Sequence, residues 1–401
     1  MKTQGYRLYS SLPDAFSVQK AARIDLGALQ KNYCALLAHV QEDAPRTRGI
    51  AVVKADAYGH GAPECVRALA RVGCDFFAVS CIEEAVAVRE VCDEMGAEAE
   101  ILILGYTDPS LAPLLFRYRL TQAAVSPDHA ASLQQSAYEA GVRVFVHVAL
   151  DTGMGRIGFL ARSREQIEGT AREILGLLDA PNLTITGMFT HFARADEESE
   201  DGARFTKEQL ENYLAVRRLV EQGGKQIPFH HVCNSAASVK GVGEAFDGAR
   251  FGIVMYGASP ALHGSLSLSP VMTLEAKIAH IHKLNKGETV GYGGTFCAPC
   301  EMTVGVLPVG YADGFLRAYR SSFASVETAT GAVCAPILGR ICMDQCMIDL
   351  SGTDASVGDV AVLLGGENGP SAEALAKAAG TIDYETLCVI SSRVPRFYRY
   401  E

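Results

Sequence analysis

No apolar run in the 401 residues reaches the roughly 18 needed to cross a bilayer, so no membrane-spanning helix is expected. The opening MKTQGYRLYSSLPDAF has no continuous apolar stretch of the secretory type either, which predicts a cytosolic protein. Positive charge is not in excess. The 36 Lys and Arg residues are outnumbered by 46 Asp and Glu, giving a net charge of −10 mixed along the chain. That balance argues against nucleic acid and anionic membranes as partners. The 12 cysteines are scattered, and the lone C-x-x-C at Cys297 and Cys300 lacks a second pair. Cys342 and Cys346 flank MDQ without histidines at ligand spacing, so reduced structural thiols and no metal are expected.

The chain has ample material for a core, with 48% hydrophobic residues and a length that suits two domains, one of them a barrel of roughly 250 residues. Between residues 48 and 255, apolar strand-like runs alternate with amphipathic helical stretches. The runs lie at 50–54, 75–80, 100–105, 120–126, 144–150, 183–189, 229–233 and 249–254. Intervening segments such as PECVRALARVG and IEEAVAVREVCDEMG show helical spacing, several starting at Pro or Asp and ending at Gly. Eight such units fit an α/β fold with an N-terminal (β/α)8 TIM-like barrel. After about residue 260 alternating segments such as VMTLEAKIAHIHKL and EMTVGVLPVGY predict a mainly antiparallel β domain. The expected division is 18–262 and 263–401, with residues 1–17 an extension packing near the C-terminal domain.

Strand ends in this reading gather polar groups at one rim of the barrel. Lys54 follows AVV at the end of the first run, where an ammonium is costly unless something uses it. Arg156 follows the fifth strand, His191 the sixth, Asn234 and Ser235 the seventh, and Arg250, Gly252 and Ile253 belong to the eighth. Loops after strands 7 and 8 of such barrels commonly bind phosphate, and Ser235 opening a helix beside Gly252 suits that role. A lysine facing a phosphate anchor points to pyridoxal phosphate held as a Schiff base. Burial and Arg156 would lower the lysine's pKa, and Arg250 at the ring nitrogen would keep that nitrogen unprotonated. Taken singly, a snorkelling lysine, an N-cap serine and a packing glycine remain open. GMGRIG at 153–158 also satisfies a dinucleotide fingerprint, but bulky Arg156 occupies its loop and no βαβ half surrounds it. DTG lacks the second carboxylate motif of an aspartic protease. Adjacent His230 and His231 must face opposite sides of a strand, so at most one can reach a site.

From about residue 20 to 400 the chain resembles the alanine racemase family of fold-type III pyridoxal phosphate enzymes. The resemblance rests on AVVKADAYGHG, DTGMGRIGF, THFARADE, CNSAA, RFGIVMYG, VGYGGTF, VGYADGF, GRICMDQCMIDL and ISSRVPR. It implies that Lys54 carries the cofactor and serves as the base on one face of the substrate α-carbon. Tyr292 would be the opposite base, reaching in from a second subunit, which implies a homodimer with composite sites. Tyr58, Ser235, Gly252 and Ile253 match phosphate contacts, with Asn234 beside them, and Arg250 matches the ring-nitrogen arginine. His191 matches a link from Arg250 to the tyrosine, and Arg156 a group near the substrate carboxylate. Tyr311, Met343 and Asp344 match groups that the partner contributes at the pocket entrance. A cytoplasmic role supplying D-alanine for peptidoglycan is implied as well.

Two departures stand out. Many relatives place a carbamylated lysine where this chain has Ala149, so Arg156 needs another partner, an anion or a different side chain. Ser392 replaces the tyrosine usual in ISSRVPR, leaving room for a larger substrate, so serine racemisation is expected beside alanine. A related-fold decarboxylase would pair the ring nitrogen with a carboxylate, and a non-catalytic cofactor carrier would lack the second domain.

Overall fold

The computed structural model describes residues 18–242 and 246–400; the expected placement of residues 1–17 lies outside the described residues. Eight parallel strands form a nearly closed barrel in the order of the chain. They are Arg48–Val52, Phe76–Val79, Glu100–Ile103, Thr121–Ala124, Val144–Asp151, Leu183–Phe189, His230–His231 and Gly248–Phe251. The last pairs with the first in register from Gly248 opposite Arg48 to Phe251 opposite Ala51. Between the seventh and eighth strands Arg250 N donates to Cys233 O at 3.1 Å. All eight expected strands are present. They are short and rich in Val, Ile, Leu and Phe because both faces are covered, inside by barrel side chains and outside by helices.

Helices Ala62–Arg71, Ile82–Met95, Pro127–Glu139 and Glu200–Gln222 occupy the expected stretches. Ser126 and Ser199 cap the last two through their hydroxyls, which accept from His129 N and Gly202 N. Helices Leu26–Asp43 and Arg164–Leu177 complete the jacket, and the first packs on Ala62–Arg71.

The second sheet runs His280–Leu284, Met302–Leu307, Cys346–Asp349, Gly331–Leu338, Phe323–Thr328, Val360–Leu364, Met272–Lys277, Lys20–Asp25 and Arg396–Arg399. It is antiparallel except for its final pair. The strand Lys20–Asp25, within the expected 18–262 segment, is hydrogen-bonded into the second sheet and not into the barrel. Its near-alternating burial gave no clue to which sheet would receive it. A separate hairpin, Thr289–Val290 with Phe296–Cys297, holds Tyr292 in its turn.

Candidate active site

Lys54 does not end the first strand. The ladder stops at Val52, and Lys54 opens a turn in which Ala55, Asp56, Ala57 and Tyr58 all have φ between 51 and 54°. Each of these L-residues costs roughly 1–2 kcal/mol in the left-handed region, so the turn requires outside restraint. Glu84 provides it, accepting from Ala55 N at 2.7 Å with one oxygen and from Ser80 N at 2.8 Å with the other. Asp56 Oδ1 accepts from Ala62 N at 2.7 Å and ties the turn to the following helix. The result holds the Lys54 side chain at the barrel's C-terminal rim. Burial, then the Arg156 guanidinium, lowers its pKa, with Arg250 adding to the effect.

Opposite lies a small cradle. Gly252 N donates to Ser235 Oγ at 3.0 Å, leaving the serine hydroxyl proton free to donate elsewhere. A Cβ on Gly252 would stand 2.9 Å from Tyr58 Oη and 3.2 Å from Ser235 Oγ, so only glycine leaves the space between them open. Asn234 caps the short helix Ser235–Lys240 by accepting from Ala237 N at 3.0 Å, and its amide donates to Phe192 O. Tyr58 is held from behind by Tyr256, with ring centroids 5.0 Å apart. Ile253 is fully buried below the cradle.

Arg250 occupies the barrel interior at 3% exposure. Its guanidinium contacts three carbonyl oxygens, those of His231, Thr190 and Val232. It also meets two imidazole nitrogens, Nδ1 of His231 at 2.8 Å and Nδ1 of His191 at 3.4 Å. None of these is a carboxylate, and burial, with a smaller contribution from the Arg156 charge, pushes its pKa down to about 10. His191 is pushed down to about 3 by burial and then by Arg250, Arg156 and Lys54, so it stays neutral.

Arg156 is exposed on a loop shaped by Asp151, which accepts from Gly153 N, Gly155 N and the Arg162 guanidinium. Ala149 lies in an apolar cluster with Ala123, Val125 and Phe189, against which Leu104 and Ile157 pack. The loop continues into strand Phe159–Leu160 and not into a helix, so GMGRIG lacks the geometry of a dinucleotide turn.

The remaining expected residues sit on the second domain. Tyr292 is 70% exposed, Met343 52% and Tyr311 39%. Tyr311 N and Ala312 N donate to Cys342 O and Met343 O at 3.0 Å, which joins the two loops. Asp344 pairs with Arg393 at 2.8 Å, and Ser392 beside it is exposed. Tyr292, Tyr311 and Met343 are therefore open to solvent in a single chain, while Arg156, His191 and Arg250 lie close enough to Lys54 for their charges to interact, and Ser235 and Gly252 join Tyr58 in the cradle.

Sequence reasoning missed three groups. Glu84 is one, and fully buried Asp313 is another, accepting from Lys20 Nζ at 2.7 Å and from Gly310 N. The third is Cys388, close enough to Lys54 for their charges to interact. Asp313 lies within the quoted VGYADGF, so a buried carboxylate between glycines was a usable signal. His231 is the inward member of its pair, whereas His230 Nδ1 meets Tyr213 Oη at 2.7 Å.

The donor set fits pyridoxal phosphate: an amine of lowered pKa, a cradle closed to any Cβ and a buried cation near the amine. Comparisons with known proteins agree. Residues 24–260 match the family model for the alanine racemase N-terminal domain and residues 271–398 that for the C-terminal domain. The alanine racemase of Clostridium tetani is 40% identical over 355 residues, covering 87% of this chain and 88% of that protein. That of Clostridium novyi is 37% identical over 384 residues, 94% of each. Among solved structures, Clostridium difficile alanine racemase superposes with a TM-score of 0.86 at 34% identity, over 96% of this chain and 97% of that one. A Bacillus anthracis alanine racemase with bound L-Ala-P gives 0.83 at 30%, over 97% and 96%. This chain belongs to the alanine racemase family of pyridoxal phosphate-dependent isomerases.

Proposed function

We propose that the protein interconverts L- and D-alanine as a cytoplasmic homodimer, with Lys54 and Tyr292 of the partner subunit as the two bases. The observation that carries this reading is the Gly252 cradle, set across from an amine whose pKa burial has lowered. Pyridoxal phosphate, when bound, supplies an electron sink that acidifies the α-hydrogen of an amino acid. Tyr58 Oη and Ser235 Oγ would hold its phosphate and Arg250 its ring nitrogen. A permanent cation at that nitrogen disfavours decarboxylase-type and transamination chemistry. Lys54 Nζ takes or returns the α-proton on one face. Racemisation needs a second group on the opposite face, because one fixed base cannot reach both. Within a single chain Tyr292 is 70% exposed, which leaves it open to contact with another copy and supports a composite site. Neutral His191, whose Nδ1 faces the Arg250 guanidinium, carries its proton on Nε2 and can donate it to the tyrosine oxygen, favouring the phenolate and so its use as a base. Arg156 would bind the substrate carboxylate. The product would serve peptidoglycan precursor synthesis.

The test is a racemisation assay on L-alanine and L-serine with Lys54→Ala and Tyr292→Phe. Each variant alone should be nearly inactive. Mixing the two after dissociation and reassociation should restore about a quarter of wild-type activity, because half of random dimers carry one intact composite site. Activity of the mixture no higher than the sum of its parts would exclude the shared site.

A further inference from the structure

Beneath Arg250 a line of polar side chains crosses the otherwise apolar barrel. Arg250 Nη1 lies 2.8 Å from His231 Nδ1, His231 Nε2 lies 3.0 Å from His147 Nδ1, and His147 Nε2 faces Glu100 Oε1 at 3.3 Å. Glu100 is the first residue of the third strand and lines an open groove at the barrel's other end. There it pairs with Arg48 at 3.2 Å, and Arg48 in turn meets Asp75 at 3.1 Å. Both histidines are completely buried.

The chemistry of the groups fixes every proton in this line. A guanidinium can only donate, so His231 Nδ1 must be bare and its proton must sit on Nε2. That proton is donated to His147 Nδ1, which puts the proton of His147 on Nε2, 3.3 Å from the carboxylate but without hydrogen-bond alignment to it. Neither ring can accept a second proton without breaking a contact, so both stay neutral. Both hydrogen bonds run one way, from the cation at the rim to His147, and the anion at the floor stands beyond as an electrostatic neighbour.

The fold makes room for this line. A Cβ on Gly187 would lie 2.5 Å from two ring atoms of His147, and the strand pairing shifts register between Val146 and His147 at this point. His147 is packed by Phe76 and Phe229, and Phe189 stacks on His231 at 4.8 Å, so the rings cannot turn to other partners.

We propose that His231 and His147 are positioning residues for Arg250, a directional hydrogen-bond line that fixes the guanidinium, while Glu100, 3.3 Å beyond His147, keeps the counter-charge at the far end of the barrel. A carboxylate in direct contact would hold the arginine equally well, but would neutralise the cation where the cofactor needs it. With neutral imidazoles in between, Arg250 meets the cofactor's ring nitrogen with its charge uncompensated. The role toward the cofactor rests on the pyridoxal phosphate reading of the site, whereas the proton arrangement does not.

The arrangement is tested first on the cofactor-free protein, by nitrogen NMR of labelled histidines near neutral pH. His231 and His147 should both be neutral with the proton on Nε2; the other tautomer or a charged ring at either position overturns the proposal. His147→Phe, an aromatic in aromatic surroundings, removes the line at its middle. In the loaded protein it should raise the ratio of abortive transamination to racemisation about tenfold and shift the visible band of the bound cofactor. Glu100→Gln lies on the open groove and keeps the shape, so it tests the counter-charge even if His147→Phe folds poorly. It should leave both tautomers in place and move the band in the same direction by a smaller amount. Both variants keeping the wild-type ratio and band would refute the link to Arg250. Failure of the wild-type protein to bind pyridoxal phosphate would strike instead at the functional reading, leaving the NMR result to stand or fall alone.

Discussion

Adding one methyl group at Gly252 should separate cofactor affinity from folding. In Gly252→Ala the new Cβ would stand 2.9 Å from Tyr58 Oη and 3.2 Å from Ser235 Oγ, closer than ordinary van der Waals contact. Neither neighbour can easily give way. Tyr58 is backed by Tyr256 and Tyr384, with centroids 5.0 and 6.0 Å away, and Ser235 Oγ is held by Gly252 N. Overpacking a tight site by one methyl costs about 1–3 kcal/mol. If that cost falls on the bound phosphate, Kd for pyridoxal phosphate should rise roughly 5- to 150-fold, at about 1.4 kcal/mol per factor of ten. Titration of the cofactor-free protein, followed by absorbance, measures this directly. Pyridoxal, which has no phosphate, should bind wild type and variant with similar affinity, and the melting temperature of the cofactor-free variant should fall by the share of that cost which the clash with Tyr58 takes from the fold itself. An unchanged Kd for pyridoxal phosphate, or equal losses for both compounds, would refute the assignment of the cradle.

Three further outcomes are expected. Glu84→Gln keeps only one acceptor for the two backbone N–H groups of Ala55 and Ser80, so about 1.5–3 kcal/mol of restraint on the left-handed turn is lost. Its kcat should fall about tenfold or more with a smaller change in KM, and amide exchange at 54–61 should quicken; a kcat within about twofold of wild type would rule out the role. His60 and His230 are each pushed from 6.5 to about 4 by burial, so the stability they contribute is complete above pH 6.5 and is lost as pH falls toward 4. Each should cost about 1–2 kcal/mol between pH 6.5 and 5 in urea melts, and His230→Asn should flatten that slope; an unaltered slope would show that His230 already titrates normally. Ser392→Tyr should lower the serine-to-alanine ratio of kcat/KM, and an unchanged ratio would remove Ser392 from the account of pocket size.

Lysine, arginine and glycine at the ends of apolar runs were legible as a site because a parallel barrel brings all strand ends of one polarity to one rim. The residues controlling them were harder to see. Glu84 resembles any acidic residue in the first turn of a helix, and only the fold shows both its oxygens on backbone N–H groups. His231 was reduced by alternation to one of two possible inward histidines. Its partners, His147 and Arg250, lie 84 and 19 residues away, and no local pattern joins them.

The sequence by itself determined the eight strands, the change to alternating β structure after residue 260 and the residue types at the rim. These depend on hydrophobic period and turn chemistry over a few neighbouring residues. Only the tertiary structure decided that Lys20–Asp25 joins the second sheet, that the chain after Val52 turns left-handed, and that two buried imidazoles stand between Arg250 and Glu100. Those outcomes depend on which distant surfaces close against one another, and burial then sets the charge of whatever is enclosed.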